Sequence, residues 1–295
     1  MKYSDLLFDY LNFEASEDLG KDNNSQRFKK DFYEIKTDEE SKIYNKPKGK
    51  YMLLSTPNIL DLDKSEIDKC IDYFVEMLKS MLGDIKSEDK VLVVGLGNRH
   101  ISSDSLGAKV VSKINITLNN KHLTKVMAIA PSVMGLTGIE TFDIVEGVVG
   151  KVSPTHLILI DSLCASAVER LGRSIQVTNT GICPGGGIGN KRKCIDSKLV
   201  KNIYSIGVPL LIFSSTFIGS AFDKFGIGYD EILGIMQSSR KSPEQSDLFK
   251  LSKTLKQILE DDENEMIVSI KDIEECVGIL SDIIAVSINK VLGVG

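Results

Sequence analysis

Short apolar runs at residues 90–94, 126–130 and 156–160 constrain this chain more than anything else in it. Runs of that length without polar alternation read as strands buried on both faces, as in parallel sheets flanked by helices. A further strand-like run spans 174–178, and two more, at 204–208 and 210–213, are split by Pro209. Helical patterns lie between them. Asp63 offers a cap ahead of Ile67, Cys70, Ile71, Phe74, Val75, Leu78, Met81 and Leu82, spaced for one helical face until Gly83 stops the run. Further helices are expected at 105–113, from a capping box Thr137-Gly138-Ile139-Glu140 through 149, at 162–171, and at 269–292. Strands alternating with helices predict a three-layer α/β/α fold with a mostly parallel sheet and right-handed crossovers. Residues 1–50 are polar and weakly periodic, an N-terminal arm whose strand signals, at 32–36 and just beyond it at 51–55, suit sheet edges. Residues 51–295 read as a single α/β domain with a helical C-terminal part.

In open α/β sheets ligands bind outside the carboxyl ends of the strands, so the loops there are the first place to look for chemistry. Asp161 ends the 156–160 run, where a carboxylate is costly unless it is paired. Asp104 closes the loop after the 90–94 run, where it also suits a helix cap. Two carboxylates meeting at one site split their pKa values, one staying protonated as general acid and one ionised as general base. Gly95, Gly97 and Asn98 would shape the first loop, and Thr137 and Glu140 would brace a second. Gly181 opens a third, TGICPGGGIGNKR at 180–192, which closes on Asn190, Lys191 and Arg192. Gly95-Leu96-Gly97 falls short of a dinucleotide fingerprint because residue 100 is His. The third loop falls short of a P-loop at Asn190, although it suits a backbone anion nest, the basis of an alternative phosphate- or nucleotide-binding reading. His100 is a candidate base, although plain solvent exposure is the commoner state of a loop histidine.

Composition excludes several classes. A net charge of −5 lacks the basic footprint of a general nucleic-acid binder. No apolar run approaches the roughly 20 residues that span a bilayer, and the acid-rich N-terminus has no signal-peptide architecture. Five cysteines without a C-x-x-C spacing suit free, buried thiols in the cytoplasm. With three histidines and no paired cysteine motif, neither a metal nor another cofactor is expected.

The segments VLVVGLGN (91–98), SDSLG (103–107), APSVMGLTGIET (130–141), DSLCASAVER (161–170) and TGICPGGGIGNKR (180–192) together resemble the germination protease, or spore protease, family. The similarity runs in order from about Tyr51 to Pro209, and more thinly through the final helix. The resemblance implies a fold similar to hydrogenase-maturation proteases and an aspartic-type endopeptidase that degrades small acid-soluble spore proteins during germination, in the spore core. It also implies a zymogen and a homo-oligomer, a tetramer. The family's two essential aspartates fall on Asp104 and Asp161. Its Thr-Pro-Asp-Ala-Leu-Gly reads Ser102-Ser103-Asp104-Ser105-Leu106-Gly107 here, and a Ser of its glycine loop is Gly186. Its N-terminal Arg-Thr-Asp-Leu-Ala stretch is matched to Phe8-Asp9-Tyr10-Leu11-Asn12, with few residues ahead of it for a propeptide, so the chain is expected to start near Met1 without self-cleavage. Residues 213–266 look shorter than the family's. The rival reading is a non-proteolytic sporulation protein that keeps the fold as a binding module.

Overall fold

The apolar runs do become strands. The computed structural model describes residues 4–11, 17–18, 28–117, 124–183, 193–218 and 266–295. Its strands in chain order are β1 (Glu17–Asp18), β2 (Lys29–Ile35), β3 (Gly49–Ser55), β4 (Lys90–Gly95), β5 (Lys125–Ile129), β6 (His156–Ala165), β7 (Ser174–Thr178), β8 (Asn202–Phe213) and β9 (Ile267–Val268). They form one mixed sheet in the order β1-β2-β3-β7-β8-β6-β4-β5, with β9 paired to β8. The β8-β6-β4-β5 half is parallel, and the strands from β7 outward are antiparallel. β3, expected at an edge, lies inside the sheet between β2 and β7.

The helices are α1 (Asp38–Tyr44), α2 (Lys64–Leu82), α3 (Leu106–Val111), α4 (Met134–Thr137), α5 (Thr141–Val152) and α6 (Ile273–Val291). Alternation along the strands gives each face of the sheet its own cover, the three-layer α/β arrangement. Val91, Val93, Ile158, Ile160, Ile206 and Val208 pack under α2, α3 and α6. Leu92, Val94, Leu157 and Leu159 pack on the other face with Val145 and Val149 of α5. Farther along that second face, Leu163 and Ile212 meet Tyr51, Leu53 and a short N-terminal segment, Leu6, Leu7 and Phe8. α2 has the cause its sequence suggests. The Asp63 side chain accepts the Glu66 N–H, the Glu66 side chain accepts the Asp63 N–H, and Gly83 ends the helix at φ 69°. Each apolar residue it fully buries, Phe74 and Leu78 among them, contributes about 1.5–3 kcal/mol of transfer free energy.

Three local expectations fail for identifiable reasons. Residues 162–171 are not a helix. β6 runs on to Ala165 because β8 continues beside it, pairing Ser162 with Val208 and Cys164 with Leu211. Pro209 does not split β8. It lacks an N–H to donate, and the register shifts at Leu163/Cys164 beside it, so an irregularity absorbs the missing bond. The capping box at 137–140 does not form either. Thr137 ends α4, its hydroxyl bonds within the turn to Ile139, and Glu140 itself is the N-cap of α5 without a side-chain cap bond. The 219–265 stretch, including most of the region read as shortened, lies outside the described residues. Among the described residues no helix is long and apolar enough to cross a membrane.

Candidate active site

Asp161 stands on the second face of β6, between Leu159 of one apolar cluster and Leu163 of the other. The gap between those clusters is a cleft of about 1210 Å³. Across β8 the partner of Asp161 is Gly207, and the room left by its missing side chain is taken by Leu163, whose Cγ and Cδ1 a Cβ there would overlap. The next strand places Gln176 opposite Gly207, and Ser205 and Thr178 form the neighbouring row. The floor of the cleft is therefore polar while the sheet on either side is apolar.

The loop after β4 brings the second carboxylate to the first. Leu96 donates its N–H to Ile160 O at 2.8 Å, tying the loop to the residue just before Asp161. The chain then crosses the same spot again as α3 begins. A Cβ on Gly107 would overlap Leu96 N, Leu96 O and Ile160 O, so only glycine allows this approach. Gly97, at φ +94°, lies against Asp104, and a side chain there would overlap the Asp104 main chain and carboxylate. Asp104 ends a 3-10 turn, Ser102–Asp104. It does not cap α3. Its Oδ2 instead accepts the Asn98 N–H at 2.7 Å. The expected roles of Gly97 and Asn98 in shaping the loop thus have a geometry, and Gly95 serves by packing against the Gly107 backbone.

The two carboxyls titrate apart. Burial, reinforced by the negative charges of Asp104 and Asp5, pushes the Asp161 carboxyl well above the usual carboxylate range, and the Ser162 N–H at 2.9 Å opposes the rise. Burial also raises Asp104, but the Asn98 N–H holds that rise back. One proton on Asp161 and one charge on Asp104 is the favoured state. That pairing can protonate a leaving group from one side and take a proton from water on the other.

The sequence-expected residues are not all here. Gly97, Asn98, Asp104, Asp161 and Gly181 line the cleft; Thr137, Glu140 and His100 are absent from its lining, and Thr137 and His100 are exposed. Asn190, Lys191 and Arg192 lie outside the described residues. Cys183 and Cys194 are not free thiols: they form a disulfide at the base of the glycine-rich loop. An antiparallel bridge between Ile182 and Ile195 brings the two chain ends together, with N–H···O distances of 3.0 and 2.9 Å. Cys70, Cys164 and Cys276 are free and buried.

The N-terminal segment is the part sequence reasoning missed. Asp5 N–H donates to Cys164 O and Cys164 N–H donates to Asp5 Oδ2, both at 2.8 Å. Leu7 N–H donates to Gln176 Oε1 at 3.0 Å, and Asp9 Oδ2 accepts from Ser4 Oγ at 2.7 Å and Ser166 N at 2.8 Å. From this segment Ser4, Asp5 and Tyr10 line the cleft. The available signal was Ser4-Asp5-Leu6-Leu7, an apolar pair behind a carboxylate in an otherwise polar arm. Among the described residues, no group of three or more His, Cys, Asp or Glu side chains could hold a metal ion.

A model of the germination protease family matches residues 14–229. The germination protease of Clostridium perfringens (strain SM101 / Type A) is 32% identical over 275 residues, covering 88% of this chain and 82% of the relative. That of Caldanaerobacter subterraneus subsp. tengcongensis is 34% identical over 220 residues, 71% of this chain and 65% of its own. That of Bacillus subtilis (strain 168) is 36% identical over 202 residues, 63% and 54% respectively.

Proposed function

This chain belongs to the germination protease family, and on that premise we propose that it is an aspartic-type endopeptidase cleaving small acid-soluble spore proteins, with Asp161 as general acid and Asp104 as general base. The observation that carries the reading is the meeting of two carboxyls in one cleft, Asp161 buried and pushed well above the usual carboxylate range, Asp104 raised less and accepting the Asn98 N–H. An extended peptide laid along the polar floor would present its carbonyl carbon to a water between the two. Asp104 takes a proton from that water as its oxygen bonds to the carbonyl carbon. The tetrahedral intermediate then collapses, the C–N bond breaks, and Asp161 gives its proton to the departing nitrogen. Water is consumed, and an acid and an amine are released. The charge on Asp104 and the proton on Asp161 are restored by proton exchange with solvent. No metal and no covalent intermediate is needed for these steps.

The same reading places the protein in the spore core as a homotetramer, which sedimentation of the purified chain tests. The decisive experiment for the activity is to mix the chain with a purified small acid-soluble spore protein. Discrete fragments with new N-termini are expected. Binding without fragmentation is the result a non-proteolytic module would give, and it would overturn the proposal.

A further inference from the structure

The acid–base chemistry just described requires two carboxylates, yet a third, Asp5, lines the same cleft. It arrives on a segment held at the far end of β6. Leu6, Leu7 and Phe8 are buried against Tyr51, Leu53 and Leu163. Asp5 makes a two-way link with Cys164, its N–H to the carbonyl and its Oδ2 from the N–H, both 2.8 Å. Cys164 is three positions beyond Asp161 on the same strand, and Gln176, which accepts from Leu7, stands across Gly207 from Asp161. The strand that carries the acid is therefore terminated by the segment that carries Asp5.

We propose, resting on the reading of Asp161 as the acid, that Asp5 is a positioning residue: it seats the end of β6 and its negative charge keeps the Asp161 proton in place at neutral pH. The charged surroundings favour this. Asp104 faces Asp161 from the turn after β4, and Asp5 faces it from the N-terminal segment. Around Asp5 stand Asp9, Tyr10 and Lys46. Lys46 donates to Ser4 O at 2.9 Å, and burial weakens its charge. Asp9 is engaged by Arg170 at 3.5 Å. Asp196 lines the cleft as well. Among the described residues carboxylates thus outnumber cations about the acid, and a like charge nearby disfavours ionisation.

The test separates charge from shape. Asp5→Asn keeps an oxygen to accept the Cys164 N–H and removes the charge; Asp5→Glu keeps the charge. The protonated carboxyl band of Asp161, identified by its loss in Asp161→Asn, can be followed by infrared difference spectroscopy against pH. A general acid acts while protonated, and its activity is lost as pH rises through its pKa. Removing a like charge lowers that pKa, so in Asp5→Asn the band midpoint, and with it the alkaline limb of peptide cleavage, should move down by about one pH unit. Asp5→Glu should restore both. A folded Asp5→Asn with an unmoved midpoint overturns the proposal. So does an Asp5→Asn that fails to fold, because the role would then be structural alone. The infrared readout needs no turnover, so absence of cleavage by the unaltered protein would count against the proposed function while leaving the role of Asp5 decided.

Discussion

Replacing Gly107 by Ala is the sharpest probe of how the two carboxyls are brought together. The added methyl would overlap Leu96 N, Leu96 O and Ile160 O, all of them main-chain atoms that cannot swing aside. Overpacking of this kind costs about 1–3 kcal/mol, and three backbone contacts place it near the upper end. Gly107 lies in α3, where Ala gains about 1 kcal/mol of helix propensity over Gly. The net loss is about 2 kcal/mol, or roughly 4–8 °C in Tm at 2–4 °C per kcal/mol for a domain of this size. The easiest relief is to lengthen the 2.8 Å bond from Leu96 N to Ile160 O, which carries Asp104 away from Asp161. A displacement of about 1 Å at a catalytic pair costs on the order of 10²-fold in rate. The assay is a thermal melt alongside fragment release from a spore protein. Gly147→Ala in α5 is the control: nothing lies within 4 Å of its added Cβ, and a gain of about 0.5–1 kcal/mol is expected. A Gly107→Ala protein with unaltered melting and cleavage would refute the argument.

Other consequences are simpler to check. Asp63→Ala removes the acceptor that caps α2 and should cost about 1 kcal/mol, read as a fall in the urea midpoint at unchanged m-value. Non-reducing peptide mapping should recover Cys183 and Cys194 in one cross-linked species, and reduction should lower stability by up to about 3 kcal/mol on the chain-entropy model for a bridge of sequence separation 11. If the cross-linked species is missing from carefully alkylated protein, the pairing is wrong. Activity should survive a strong chelator, since the proposed steps use only carboxylates; inactivation by EDTA with recovery on zinc would point to metal-assisted hydrolysis instead.

The centre of the parallel half was legible because β4 and β6 are buried on both faces, so their runs are apolar without alternation, and the shortness and valines of VLVVG favour a strand over a helix. Asp161 was legible for a related reason: a carboxylate following four apolar residues demands an explanation. What followed it was not. Ser162-Leu163-Cys164-Ala165 has a pattern that suits either a helix or a strand, and only the pairing with β8, some 45 residues on, decides for the strand. Pro209 argued against one continuous β8, and nothing local announces that an irregularity in the register would accommodate it. The N-terminal segment was hidden by sequence distance. Leu6 to Phe8 look like minor apolar residues in a charged arm until the end of β6 and Gln176 are in place to receive them. The disulfide shared that difficulty, since an 11-residue separation carries no signature until the Ile182–Ile195 bridge closes the loop.

The central claim, that Asp104 and Asp161 divide the proton work between them, is tested most directly by replacing each with Asn. Asn keeps the shape of the side chain and loses the exchangeable proton. Each variant should lose at least about 10²-fold in cleavage, the scale of lost acid–base catalysis. The double variant should be little worse than either single one, because residues acting as a unit are not additive. Melting should move the opposite way. The Asp161 carboxyl is raised in the folded protein, so the stability it contributes is full below its unfolded pKa and lost as pH rises through its folded one. Asp161→Asn escapes that loss, and its Tm should overtake that of the unaltered protein increasingly from about pH 4 upward. Fragment release and melts measured together on the same preparations settle the matter. The account predicts a folded Asp161→Asn protein, at least as stable at neutral pH, with cleavage all but abolished; a folded Asp161→Asn that cuts at near-normal rate would contradict it.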